Sequence, residues 1–141
     1  MTARRTVVRN VGADAVARVG NIGVGAVRTL VQSHDVSERI WSNLASNNVE
    51  YVGLLFSQDF KDAGTGGVSV PKDALALWER HVRQRAEWMR GRITNWEVWN
   101  EPEYASFWNG TRQEFATVTR QSITTNESGL VLWVSQAKVS G

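Results

Sequence analysis

Apolar positions along the chain alternate between two rhythms. In "GVGAVRTLV" (23–31) they form a near-continuous, β-branched run, which predicts a buried strand. In "SERIWSNLASNN" (37–48) they recur at helical spacing, with Ser37 placed as N-cap and Ile40, Trp41 and Leu44 on one face. The run returns in "VEYVGLLFS" (49–57), and a Gly-rich loop, "QDFKDAGTGGVSV" (58–70), follows. The next helix is predicted over 71–91. Pro71 suits its first turn, Leu75, Trp78, Val82 and Met89 form its apolar stripe, and Gly91 is its C-terminal cap. "ITNWEVWNE" (93–101) is a third strand. Thr111 and Glu114 have the spacing of a capping box and open a helix to about residue 123. "GLVLWVSQA" (129–137) is the last strand, and the first 20 or so residues read as an early helix with Val16 and Ile22 near its end.

Strand and helix repeated in this order predict a parallel sheet covered by helices. An open doubly wound sheet and a (β/α)8 barrel both fit that order. The pattern holds four strands and three clear crossover helices, whereas a full barrel needs roughly 250 residues. As a barrel, the 141 residues would be about half of one. The expectation is one α/β domain, a partial TIM (β/α)8 barrel with roughly strands two to five and their helices.

Composition narrows the functions available. The net charge is +2, too small for a nucleic-acid partner, and the arginines at 83, 85, 90 and 92 fit a solvated helix face. Cysteine is absent, which excludes disulfides and thiolate chemistry. The longest apolar runs fall short of the 18 residues a membrane helix needs, and "MTARRTVVRNVGADAVARVG" has no continuous apolar core of the signal-peptide kind. His34 and His81, without acidic ligands at metal spacing, predict no metal site and no cofactor. The glycines of the 58–70 loop lack the Lys-Ser/Thr ending of a phosphate loop. A nucleotide-binding doubly wound domain would also need its Gly-rich turn directly against a helix, and here Val68-Ser69-Val70 intervenes. Seven tryptophans remain unexplained by any of this; they suit a core, and they suit walls on which sugar rings stack.

The chemistry concentrates in "ITNWEVWNEP" (93–102), where Asn100 and Glu101 stand at the carboxyl end of a buried strand, just before Pro102. In parallel α/β folds that end is where sites form. A carboxyl ringed by Trp96, Trp99 and Trp108 would be partly desolvated. Desolvation disfavours the charged form, as a general acid working near neutral pH requires. Asn100 donates and accepts hydrogen bonds without adding charge. The pair suits a hydroxyl-rich substrate, with one group to protonate a leaving oxygen and one to hold a neighbouring hydroxyl.

"WEVWNEP" resembles the strand-four signature of the clan A glycoside hydrolases, the (β/α)8 retaining glycosidases that include family 5 cellulase-like and family 39 xylosidase-like enzymes. The likeness extends through the loop and helix before the motif and the helix after it. "VGAVRTLV" is similar to the second strand of such enzymes, and about residues 20 to 137 are covered. The resemblance implies that Glu101 is the general acid/base, that Asn100 bonds a sugar 2-hydroxyl, and that Arg28 is the strand-two arginine near the nucleophile. It implies that Trp108 is an aromatic near the sugar subsites; Trp99 is divided between barrel packing and a sugar-facing wall. The substrate would be an oligo- or polysaccharide.

The likeness stops at the second carboxylate. A retaining enzyme holds it about 5–5.5 Å from the first and an inverting one about 6.5–9.5 Å. Glu97 is four strand positions from Glu101, about 13 Å away, and suits an interior ion pair with Arg28 better. Glu103 lies beyond Pro102, and Asp59 and Asp62 on the preceding loop have no particular support. In the family the nucleophile is a strand-seven glutamate, which has no counterpart here. The expectation is therefore a piece of a longer hydrolase, inactive alone, with the first strand missing or degenerate. Open sheet edges beside the Arg28 and Trp133 strands would favour self-association. The alternative is a sugar-binding remnant without catalysis.

Overall fold

The computed structural model describes residues 7–9, 23–57, 60, 68–125 and 131–134. Five strands, β1 (Val7–Arg9), β2 (Ala26–Leu30), β3 (Glu50–Leu55), β4 (Asn95–Val98) and β5 (Val131–Val134), form one sheet in the order β1-β2-β3-β4-β5, and every pair is parallel. Helices α1 (His34–Ser46), α2 (Leu75–Trp88) and α3 (Arg112–Thr125) make the crossovers after β2, β3 and β4. Each strand lies beside its predecessor, with no point at which the order reverses. Right-handed crossovers that always step the same way put their helices on one face. That winding belongs to a barrel and not to a doubly wound sheet, whose order reverses at a switch point. The structure is thus the partial (β/α)8 barrel that the pattern predicts.

Several boundaries differ from the sequence reading. Strand β1 replaces part of the expected early helix, whose remainder, including Val16 and Ile22, lies outside the described residues. A first strand is therefore present, and it covers the edge of the Arg28 strand that was expected to be open. Helix α1 starts four residues early. Its N-cap is Ser33, whose hydroxyl accepts from the Val36 amide at 3.4 Å, and Ser37 is buried inside the first turns. The second helical segment opens as a 3-10 turn, Lys72–Ala74, immediately after Pro71, and α2 ends at Trp88. Gly91 stands in the turn beyond, at φ +75°, a conformation glycine adopts without strain. The capping box of α3 forms as predicted: the Thr111 amide donates to Glu114 Oε2 at 2.7 Å and the Glu114 amide to Thr111 Oγ1 at 3.1 Å.

The register sorts the strand residues onto two faces. Val27 and Tyr51; Thr29, Gly53 and Trp96; and Leu55 and Val98 form successive rows on the helix side. Ile40 and Leu44 of α1 and Trp78, Val82 and Met89 of the α2 segment are buried in the same core. Gly53 is glycine for a reason of space. A Cβ there would stand 2.7 Å from Trp96 Cε3 and 3.2 Å from Ile93 Cγ2, so the indole occupies the place a side chain would take. Gly53→Ala is expected to destabilise the fold by about 1–3 kcal/mol through overpacking, read as a lower urea midpoint at unchanged m-value.

The opposite face, the barrel interior, carries Arg28, Val52 and Asn95 in one row and Leu30, Leu54 and Glu97 in the next. Asn95 Nδ2 donates to Glu50 Oε1 on this face. It is the more polar side of the sheet, and it leads to the site.

Candidate functional site

Three interior side chains close into a chain of polar contacts. Arg28 Nε donates to Glu97 Oε2 at 2.5 Å and its Nη2 to Glu97 Oε1 at 3.1 Å. Nη2 also donates to Asn100 Oδ1 at 3.0 Å. Arg28 stands on β2 and Glu97 on β4, two strands and about 10 Å of sheet apart. Arginine has the length to cross that gap over the aliphatic row of β3, and its fork meets the carboxylate with two bonds. Both groups are buried, their side chains 4% and 12% exposed. Burying either charge alone would cost several kcal/mol, and each is held because the other is there.

The alternation of β4 ends just before Asn100. Asn95 and Glu97 face the interior and Trp96 and Val98 the helices, so alternation would turn Trp99 inward. It does not go there. Trp99 has φ +68° and Glu101 φ +40°, left-handed conformations that cost a non-glycine residue about 1–2 kcal/mol each. Tertiary contacts hold Trp99 in place. Its amide donates to Leu55 O at 2.8 Å and its indole Nε1 to Phe107 O at 2.6 Å. Its ring packs against Phe56, Trp78 and Trp108 at centroid distances of 5.1, 5.2 and 5.1 Å. With Trp99 taken to the helix side, Asn100 comes round to Arg28 and Glu101 emerges at the mouth.

This arrangement revises three sequence-based expectations and favours packing for Trp99, which the sequence left divided between packing and a sugar-facing wall. Trp99 is wholly buried and presents no ring to a sugar; its role is to anchor the turn from beneath. Trp108 is 7% exposed, packs between Trp99 and Phe115, and donates its Nε1 to Thr111 O at 3.1 Å, which makes it part of the same support. The tryptophans do not ring Glu101, which is exposed and lacks the desolvated setting inferred from the sequence. Strand β4 ends at Val98, so Asn100 and Glu101 lie in the turn that follows it, not in the ladder. The ion pair of Glu97 with Arg28 forms as expected. Asp59 and Asp62 fall outside the described residues. Glu103 is exposed on the loop beyond Pro102.

One residue near the mouth escaped the sequence reading. Tyr104 is 57% exposed, and its amide donates to Glu101 O at 3.0 Å, which closes the turn that carries the carboxyl. Its proximity to Glu101 in "NEPEY" was visible, but exposure is a tertiary property that spacing does not reveal. His34 is outside the constellation, beside Asp35 and Glu38 at 3.7 Å each. His81 lies in the core, stacked on Trp78 at 5.0 Å.

The strained backbone at Glu101 makes a stability prediction. Glycine populates this region freely, so Glu101→Gly is expected to raise stability by about 1 kcal/mol while deleting the carboxyl. A rise in thermal midpoint checks it. A gain in stability on removing a polar side chain would mark a position kept for something other than folding.

Two solved structures share the winding. A family 39 glycoside hydrolase from the gut symbiont Bacteroides cellulosilyticus WH2 matches 92% of this chain and 31% of its own, with a TM-score of 0.69 at 14% identity. D-psicose 3-epimerase from Clostridium cellulolyticum H10, solved with D-tagatose, matches 91% of this chain and 50% of its own, with a TM-score of 0.54 at 9% identity. The likeness is one of fold, and the chain spans only part of the length of either protein. No protein-family model and no curated protein matches the chain.

Proposed function

We propose that this half-barrel carries the acid–base half of a retaining glycoside hydrolase site. The observation behind the reading is the turn after β4. Asn100 is held from the barrel interior by Arg28 and Glu97, and next to it Glu101 stands exposed in a left-handed backbone. Its support is threefold: the barrel winding, the "WEVWNEP" motif, and the fold shared with a family 39 glycoside hydrolase. In the proposed reaction Glu101 protonates the glycosidic oxygen as the C–O bond breaks. A glutamate supplied by strand seven of a complete barrel attacks the anomeric carbon and forms a glycosyl ester. Glu101 then takes a proton from the water that hydrolyses this ester. The substrate class is an oligo- or polysaccharide, with Asn100 holding a hydroxyl of the sugar at the point of cleavage.

The test uses the polypeptide encoded by the whole reading frame around this chain, repaired if frameshifted. It is offered nitrophenyl β-xyloside and β-glucoside and the matching oligosaccharides, and NMR follows the anomeric proton of the first product. Hydrolysis with retained configuration is expected. Inversion, or intact substrate throughout, overturns the reading.

A further inference from the structure

We propose that Glu97 is a positioning residue which, acting through Arg28, sets Asn100 with its amide nitrogen as the group offered to substrate. The argument starts from an ambiguity in asparagine itself. A side-chain amide has an acceptor end and a donor end, and a half-turn about the Cβ–Cγ bond exchanges them. A guanidinium has donors only, so a partner of Arg28 must present oxygen. Arg28 Nη2 meets Asn100 Oδ1 at 3.0 Å, and Nδ2 is then the end left for a ligand. Arg28 could not keep this post alone, for a guanidinium on a buried side chain needs a counter-charge. Glu97 supplies it with two bonds, to Nε and Nη2. Nη2 is common to both contacts, so a change in how Glu97 grips the fork moves the donor that orients Asn100.

The consequence for recognition is specific. Asn100 would offer the hydrogens of Nδ2 to an acceptor oxygen of the ligand, while one lone pair of Oδ1 is committed to Arg28. The inference about Glu97 concerns the unliganded chain. Its extension to a sugar rests on the glycosidase reading.

The experiment uses the ¹⁵N-labelled 141-residue chain. The Asn100 side-chain amide pair is assigned by its disappearance in Asn100→Asp. Without ligand, Glu97→Gln is expected to shift this pair and speed its exchange with water. Glu97→Asp, which keeps the charge but withdraws it by one methylene, should shift it in the same sense and decides the matter where Glu97→Gln does not fold. Glu103→Gln, an exposed change on the neighbouring loop, should leave it in place. An amide pair unmoved in a folded Glu97 variant overturns the inference, even if the thermal midpoint falls, because the ion pair would then be structural only. The second arm titrates xylobiose and cellobiose. Asn100→Asp keeps an oxygen for Arg28 but has no donor, and it should weaken binding about tenfold; binding at wild-type strength overturns the donor assignment. If the wild-type chain binds neither sugar, the sugar extension and its glycosidase premise lose their support, while the ligand-free spectra still decide the role of Glu97.

Discussion

In a complete barrel built on these strands, Glu101→Gln is expected to lower turnover of a β-linked disaccharide by about 10²–10⁴-fold, the usual contribution of a positioned proton donor. The amide is nearly isosteric with the carboxyl, so substrate binding should change little and the loss should appear in kcat. The size of the loss should depend on the leaving group. A disaccharide expels a sugar alkoxide, which needs a proton as the bond breaks, whereas a nitrophenolate leaves with little help. The variant should therefore retain far more of its first chemical step on nitrophenyl glycosides than on disaccharides. On the proposed reading Glu101 would also act in the second step, deprotonating water. Azide, an anion that needs no deprotonation, should restore turnover of the nitrophenyl substrate and yield a glycosyl azide. Equal losses on all leaving groups, with no response to azide, would remove Glu101 from proton transfer.

The second large effect is on stability. Glu97→Ala should destabilise the chain by about 3–5 kcal/mol, because it leaves the Arg28 guanidinium buried with its main counter-charge gone. The pair is not thereby a strong net source of stability. Each ion was taken out of water at several kcal/mol, and their attraction largely offsets that loss without greatly exceeding it. Replacing both, as Arg28→Met with Glu97→Leu, should accordingly restore most of what Glu97→Ala removes, and an apolar pair of good fit could exceed the wild type. Urea titrations of Arg28→Met, Glu97→Leu and the double variant measure this as a coupling energy. A double variant no better than Glu97→Ala would contradict this account. Recovered stability would mean that the interior of this sheet tolerates an apolar pair, and that its charged pair is kept for what it does to Asn100.

Much of the fold was legible because its signals are local. The Thr111–Glu114 capping box involves residues three apart, and the α2 stripe needs only helical spacing to reveal Trp78, Val82 and Met89. Strand β1 was not legible: three residues, Val7-Val8-Arg9, make no apolar run, and they form a strand because β2 offers them a partner. Ser33 and Ser37 both fit an N-cap, and the choice between them depends on Ser37 being buried against the sheet. In the site, the Glu97–Arg28 pair could be anticipated from one charge on each of two inward-facing strands. The direction of Trp99 could not. Period-two reasoning assumes extended backbone throughout, and it fails at a residue pushed to φ +68° by contacts with Phe56, Trp78 and Trp108. The same failure misplaced the aromatic wall around Glu101.

The order of the sheet has a consequence for how the polypeptide is made. Each strand pairs with the one delivered before it, so β2 has its partner β1, and β3 its partner β2, as soon as the segment leaves the ribosome. Among the described strands each pairing waits only for the next strand and closes one crossover at a time, so loop-closure entropy is met stepwise. Synthesis halted after any strand leaves all earlier pairings available. The turn bearing Asn100 and Glu101 follows β4 directly, and its anchors β2, β3 and α2 precede it; Phe107 and Trp108 arrive only a few residues later. A nascent chain that has extended just beyond Phe115 therefore already contains the residues that hold this corner of the site, including the Thr111 carbonyl and the Phe115 ring that fix Trp108.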